Sequence, residues 1–334
     1  MATSPTTASL GAGRAGPGQQ GLRVGSEGHR QGRAGRGTGR PAQMFGTAAV
    51  KAAGGGDRTQ PMAALPWPGV CGAVPWRRLG VPGPAMGPED RAALLHVSGA
   101  GALCLAVVAA GALDQVAVEV GYGHYAEPPV PWLPPALAMP CNSLVNLGYV
   151  ALGWRWFPRA GRGPSRYLQA VFALLALGYG PLQWARLWTQ HPRAAVLDQW
   201  VTLPIFAWAG LWCHCLVQGW QPGHVALGTG ASLLSYGLAL AHARGFEGAL
   251  AAHVAGVAVA AWRAQRRWGD VGSAWTAAAG FAACLGFVLL KLGDAWLAQW
   301  DPFRRLSGHF WSKVCDVLQF HCAFLFATRL GGAP

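Results

Sequence analysis

Apolar runs of about twenty residues recur from residue 92 to the end of this chain, divided by short polar breaks. That is the length a helix needs to cross a hydrocarbon core. In lipid, only a helix or a closed barrel satisfies its own backbone. The runs lie at approximately 92–113, 134–156, 168–187, 194–216, 223–243, 248–264, 273–297 and 307–329, and 248–264 is the shortest and weakest. They predict an all-α polytopic membrane helix bundle with seven core transmembrane helices and one further N-terminal helix. Only 12% of the residues are charged, about half the share usual in a soluble domain. Many of the seventeen tryptophans stand at run ends, among them Trp154, Trp156, Trp188, Trp220, Trp268, Trp296 and Trp300. Indole rings favour the headgroup level, so these positions fit membrane–water belts.

Residues 1–88 differ in kind. They are rich in Gly, Arg and Pro, hold few aliphatic residues, and cannot bury enough apolar surface to offset chain entropy. Two segments follow: a disordered basic tail over 1–88 and a transmembrane domain over 89–330. Gly11 to Gly16 match a dinucleotide-loop pattern in letters alone, with no strand before it and no helix after it. Residues 1–30 contain no apolar stretch of the kind a signal peptide requires. The net charge of +13 divides between this tail and the loops, so it indicates no specific nucleic-acid partner.

Loop charge also orients the bundle. Arg155, Arg159, Arg162 and Arg166, with Arg263, Arg266 and Arg267, mark the cytosolic face. The 114–133 junction carries Asp114, Glu119 and Glu127 without Lys or Arg, and belongs opposite. Both termini are then cytosolic, although Arg186, Arg193, Arg304 and Arg305 fall on the other face.

The eight cysteines are scattered, mostly within spans, and form neither a disulfide framework nor a zinc pattern. Cys213-His214-Cys215 comes closest, but alternate residues of a helix diverge. No metal and no cofactor are expected.

Ionisable and amide groups at bilayer depth are costly, and they mark candidate sites. Asn142, Ser143 and Asn146 place two amides one turn apart, suited to interhelical hydrogen bonds or a ligand. Asp198 opens the fourth span. Lys291 and Asp294, at i and i+3, can neutralise each other. The last span is richest: His309, Lys313 and Asp316 share one face, with Ser312 beside them and His321 turned away. An ion pair between Lys313 and Asp316 would need no metal. A structural polar network, a substrate or ion site, and a metal-hydrolase site all remain open readings of this face.

Several strings carry a family resemblance. Val120 to Glu127, Ala138 to Asn146, Gly178 to Leu187, Ala194 to Trp200, Leu203 to Trp208 and Gly308 to Phe326 resemble the transmembrane protein 187 family. The likeness runs from about Met86 to the C-terminus. It implies a multi-pass membrane protein, of endomembranes (Golgi or ER), without an established activity. A more distant likeness links the order of Asn142 to Asn146, Asp198 with Pro204, and His309 to the alkaline ceramidases. That family holds zinc with three histidines, beside a Ser and an Asp. Asp198 and His309 match two of these positions. Lys313 stands where the next His belongs, and Gly180 to Trp184 contain neither the Ser nor the remaining His.

The leading expectation is a non-enzymatic lipid-binding or scaffold protein in contact with the bilayer and a lipid ligand. The alternatives are a membrane-embedded lipid hydrolase with an atypical site and a small-solute transporter. The hydrolase reading nominates Asp198, His309 and Asp316 as catalytic groups. Asn142, Ser143, Asn146 and Lys313 are nominated for ligand binding. The abrupt change in composition at Met86 also predicts that the native chain starts there. Mass spectrometry of the native protein should then find no peptide from residues 40–80, and finding such peptides would overturn that start.

Overall fold

The computed structural model describes residues 86–125, 127–157 and 163–331. The tail expected over 1–88 lies outside the described residues up to position 85. The described residues form helices and turns without a strand. The helices are α1 (Pro88–Ala109), α2 (Pro140–Leu144), α3 (Leu147–Trp156), α4 (Pro164–Thr189), α5 (Pro192–Gln218) and α6 (Pro222–Ser235). They continue with α7 (Leu238–Ala241), α8 (Gly245–Trp268), α9 (Val271–Leu292), α10 (Asp294–Leu297), α11 (Asp301–Arg305) and α12 (Gly308–Gly331).

Proline sets five of the helix starts. Pro88, Pro140, Pro164, Pro192 and Pro222 open α1, α2, α4, α5 and α6. At that position the missing N–H has no helical partner to lose, and the fixed φ already fits the helix. The start of α9 is a capping box instead: the Asp270 carboxylate accepts from the Ser273 N–H at 2.7 Å, and the Ser273 hydroxyl oxygen accepts from the Asp270 N–H at 2.8 Å. Gly219, at φ 81°, ends α5 in a conformation that disfavours a side chain.

Six of the eight expected spans are met by helices long and apolar enough to cross a membrane: α1, α4, α5, α6 with α7, α8 and α9. The run at 248–264, expected to be short and weak, is corrected: α8 has 24 residues and is one of the six. It extends past the apolar run because Arg263, Arg266 and Arg267 continue the helix. The expected run at 134–156 is divided into α2, of 5 residues, and α3, of 10 residues. The turn between them, at Val145 and Asn146, is held by i→i+3 bonds such as Gly148 N–H to the Val145 carbonyl at 2.9 Å. The last span, α12, has the length but carries Lys313, Asp316 and Arg329.

The outward faces of α1, α6 and α9 present Leu95, Leu227, Leu234, Leu289 and Leu292. A contiguous apolar exterior of this kind is what a lipid-facing surface requires. Following the helices up and down places Trp154, Trp220 and Trp268 at one end of the bundle and Trp188, Trp296 and Trp300 at the other. All six are exposed, as two interfacial belts demand.

Inside, aromatic packing joins α3, α4, α5 and α12. The Phe172 ring lies 5.3 Å from Phe320, nearly parallel, and 4.6 Å from Phe324. The Trp208 indole donates to the Leu168 carbonyl at 2.9 Å. With no hydrophobic drive between helices in lipid, such close packing and hydrogen bonding hold them together. Two glycines bring α3 and α4 into near contact. A Cβ at Gly153 would lie 2.6 Å from the Ala173 carbonyl oxygen, and one at Gly180 would lie 2.7 Å from that of Asn146.

Arginine partners explain the charges that oppose the loop-charge orientation. Arg193 binds Asp114 at 2.6 Å, and its hydrogen bonds hold that loop carboxyl below the usual range. Arg304 pairs with Asp301 at 3.2 Å. Arg186 points into the bundle rather than into a loop.

Candidate functional site

A small polar chamber lies among α4, α5, α9 and α12, near the end where α4 stops and α12 begins. Asp198 stands six residues into α5 and Lys313 five into α12, which at 1.5 Å per residue puts both about 8–9 Å below that end. The chamber has a volume of about 40 Å³. Arg186, Asp198, Lys291, His309, Ser312 and Lys313 line it, with the rings of Tyr125, Tyr149 and Tyr179. A single water needs roughly 10–15 Å³ by this measure, so the space suits a few waters or one small group.

The α4–α5 wall is built on an ion pair. Arg186 Nη1 donates to Asp198 Oδ2 at 2.6 Å, with both side chains about nine-tenths buried. Arg186 Nη2 donates to the Glu119 carbonyl at 3.1 Å, which ties the incoming 114–139 segment over the chamber. Tyr125 from that segment sits beneath the guanidinium, its ring 5.9 Å away, and edge-on to His309 at 4.7 Å. On α5, the Thr202 hydroxyl reaches the Asp198 carbonyl at 2.8 Å and the Tyr179 hydroxyl at 3.0 Å. Arg186 Nε and Asp198 Oδ1 find no hydrogen-bond partner among the described residues.

The α12 wall comes from the face that its sequence spacing predicts. His309, Ser312, Lys313 and Asp316 are all buried. Their partners differ from expectation. Lys313 Nζ donates to Asn146 Oδ1 at 3.3 Å, and the Tyr149 hydroxyl donates to Asp316 Oδ2 at 2.6 Å. Instead of pairing with each other, Lys313 and Asp316 are each taken by a residue of the α2–α3 segment, three apart on that segment as they are on α12. Gly148 makes the approach possible, since a Cβ there would meet the Val317 side chain at 3.0 Å. His321 is turned away, as its helical angle requires, and faces the Trp156 indole N–H at 3.3 Å.

The expected Lys291–Asp294 pair is corrected too. Gly293 breaks the helix between them. Asp294 Oδ1 instead accepts from the His309 N–H at 3.0 Å. A carboxylate at a helix start meets both the free N–H groups and the dipole, so Asp294 fastens the start of α12. Lys291 is left on the chamber wall, near the Phe287 ring at 5.8 Å.

Asn142 and Ser143 lie apart from the chamber lining. The Glu127 carboxylate accepts from the backbone N–H groups of Cys141 and Asn142, each at 2.9 Å, and from Asn142 Nδ2 at 2.7 Å. It caps α2 from across the preceding loop. The Ser143 hydroxyl turns to the Ala136 carbonyl at 3.4 Å. Asn146 holds both segments, donating to the Asn142 carbonyl at 2.9 Å while accepting from Lys313. Of the nominated residues, Asp198, His309 and Lys313 share the chamber, and Asp316 sits behind Tyr149.

The zinc pattern of the distant likeness does not fit these residues. Among the described residues no three His, Cys, Asp or Glu side chains gather as a ligand set. A buried ammonium, Lys313, lies one turn from His309, and Asp198 is bound to Arg186. In the sequence Arg186 reads as a loop charge on the wrong face, although a lone arginine in an apolar run is itself a signal. Nothing in sequence spacing identified Tyr149, Tyr179 or Glu127 as partners.

A family model described as the TMEM187 protein family matches residues 93–328. Transmembrane protein 187 of Homo sapiens is 56% identical over 252 residues, which cover 75% of this chain and 96% of that protein. Transmembrane protein 187 of Bos taurus is 53% identical over 253 residues, 73% of this chain and 99% of that protein. No solved structure gives a significant match.

Stranding one member of a buried ion pair costs about 3–5 kcal/mol, whereas replacing both with apolar groups is often close to neutral. Asp198→Leu and Arg186→Met should each sharply lower the melting temperature of the detergent-solubilised protein. The double variant should recover much of that loss. A double variant as unstable as the sum of the singles would refute the pairing.

Proposed function

Given that this chain belongs to the TMEM187 protein family, we propose that this multi-pass membrane protein is a non-enzymatic lipid-binding protein of endomembranes, Golgi or ER. The observation that carries this reading is an apolar cleft among α1, α4, α5 and α6, with a volume of about 280 Å³. That is nearly twice the roughly 150 Å³ of an apolar void that takes up benzene. Leu105, Leu174, Leu182, Leu211 and Leu233 supply its walls, with Pro204 from within α5.

His96 and Thr229 interrupt the apolar lining at one level. His96 is eight residues into α1 and Thr229 seven into α6, about 10–12 Å below the end where both helices start. His96 Nδ1 is bonded to the Tyr167 hydroxyl at 2.6 Å, while the buried Thr229 hydroxyl has no partner among the described residues. An amphipathic chain whose polar group meets Thr229 and whose tail fills the leucine-lined remainder suits this arrangement. Within the polar chamber, Asp198 is held by Arg186 and His309 is packed against Tyr125. Neither is placed as an unengaged base for water, which weighs against the hydrolase reading.

In the proposed topology the divided α2–α3 segment and α12 cross with the six longer apolar helices, making eight crossings with a cytosolic C-terminus. Arg155, Arg166, Arg263, Arg266 and Arg267 at one end support it, as does the withdrawal of Arg186 into the bundle.

Native mass spectrometry of protein gently extracted from membranes should show a bound lipid. Gly101→Phe, at a lining position with open space around it, should remove most of that adduct without lowering the melting temperature. An adduct unchanged in this variant would overturn the cleft assignment. In cells with only the plasma membrane permeabilised, a C-terminal tag should be open to protease, and full protection would reverse the orientation.

A further inference from the structure

We propose that the polar chamber is a binding site for one small monovalent anion, of chloride or simple carboxylate chemistry. The inference is independent of the lipid cleft. Its first support is charge. Arg186, Lys291 and Lys313 bring three cationic side chains to the chamber, while Asp198 on its wall and Asp316 behind Tyr149 bring two carboxylates. On the chamber wall itself cationic side chains outnumber carboxylates, at a depth where uncompensated charge is expensive, and a monovalent anion offsets that excess.

The second support is the supply of donors. A lysine ammonium carries three, and Lys313, only 5% exposed, directs one to Asn146 Oδ1 at 3.3 Å. Lys291 makes no hydrogen bond among the described residues, and its ammonium lies over the Phe287 ring at 5.8 Å on the chamber wall. The buried Nε–H of Arg186 is also without a partner among the described residues. Three side chains from three helices thus bring spare N–H groups to the wall of one space.

Size and position decide the class. A chamber of about 40 Å³ has no room for a phosphorylated headgroup or for an acyl chain. It lies within about 9 Å of one end of the bundle, beneath Tyr125 and the segment that Arg186 ties down through the Glu119 carbonyl. A small ion from the aqueous phase on that side would not have to cross the bilayer core to enter it.

The test uses the full-length protein in detergent or nanodiscs, with chloride and acetate as probes and ionic strength held constant by a bulky sulfonate. Chloride or acetate should raise the melting temperature of the native protein saturably. Chloride-35 line broadening should report direct exchange with it. Lys313→Met should abolish both effects, and Lys291→Met should weaken binding about tenfold or more, the usual scale for losing one charged hydrogen bond. Should Lys313→Met fail to fold, line broadening in native protein and in Lys291→Met still decides the question. A native protein indifferent to both anions, or an anion effect unchanged by Lys291→Met, would overturn the proposal.

Discussion

At bilayer depth there is little water to solvate an ionised side chain, so each one in this bundle needs a partner, from another part of the chain or from a bound ion. That constraint organises the structure. Arg186 and Asp198 join α4 to α5 at 2.6 Å. Lys313 and Asp316 of α12 are received by Asn146 and Tyr149. Asp294 fastens the start of α12, and Glu127 fastens the start of α2. Each contact ties together elements that apolar packing alone would leave free to slide, because lipid solvates leucine as well as a neighbouring helix does.

The polar contacts gather at one end, and the apolar cleft lies toward the other. Tyr179 belongs to both walls: its ring borders the cleft and the chamber, and its hydroxyl meets Thr202. The two spaces make different demands. The cleft offers apolar area with one unsatisfied hydroxyl, which suits an amphipathic chain. The chamber offers excess positive charge in little volume, which suits a small anion.

The architecture was largely legible because hydropathy and helix-start signals are local. Six expected spans correspond to helices of sufficient length, and five of the helices begin at prolines visible in the sequence. The shared face of His309, Lys313 and Asp316 was legible for the same reason, since helical periodicity depends on one element alone. Pairing was not. Lys291 with Asp294, and Lys313 with Asp316, were the reasonable partners along the chain, and neither pair forms. Gly293 breaks the first, while residues of the α2–α3 segment, more than 160 positions away, compete for the second.

By itself, then, the sequence determined that the chain is a helical membrane bundle, roughly where its helices begin, and which residues would have to be hidden from lipid. These follow from backbone hydrogen bonding and the cost of burying charge, which act on every segment separately. Tertiary structure alone decided which hidden group meets which: that Arg186 is an interior residue, that Asn142 serves Glu127 rather than the chamber, and that two lysines face one small space. Hydrogen bonds and ion pairs act over a few ångströms between helices distant in sequence, so their partners depend on how the bundle packs.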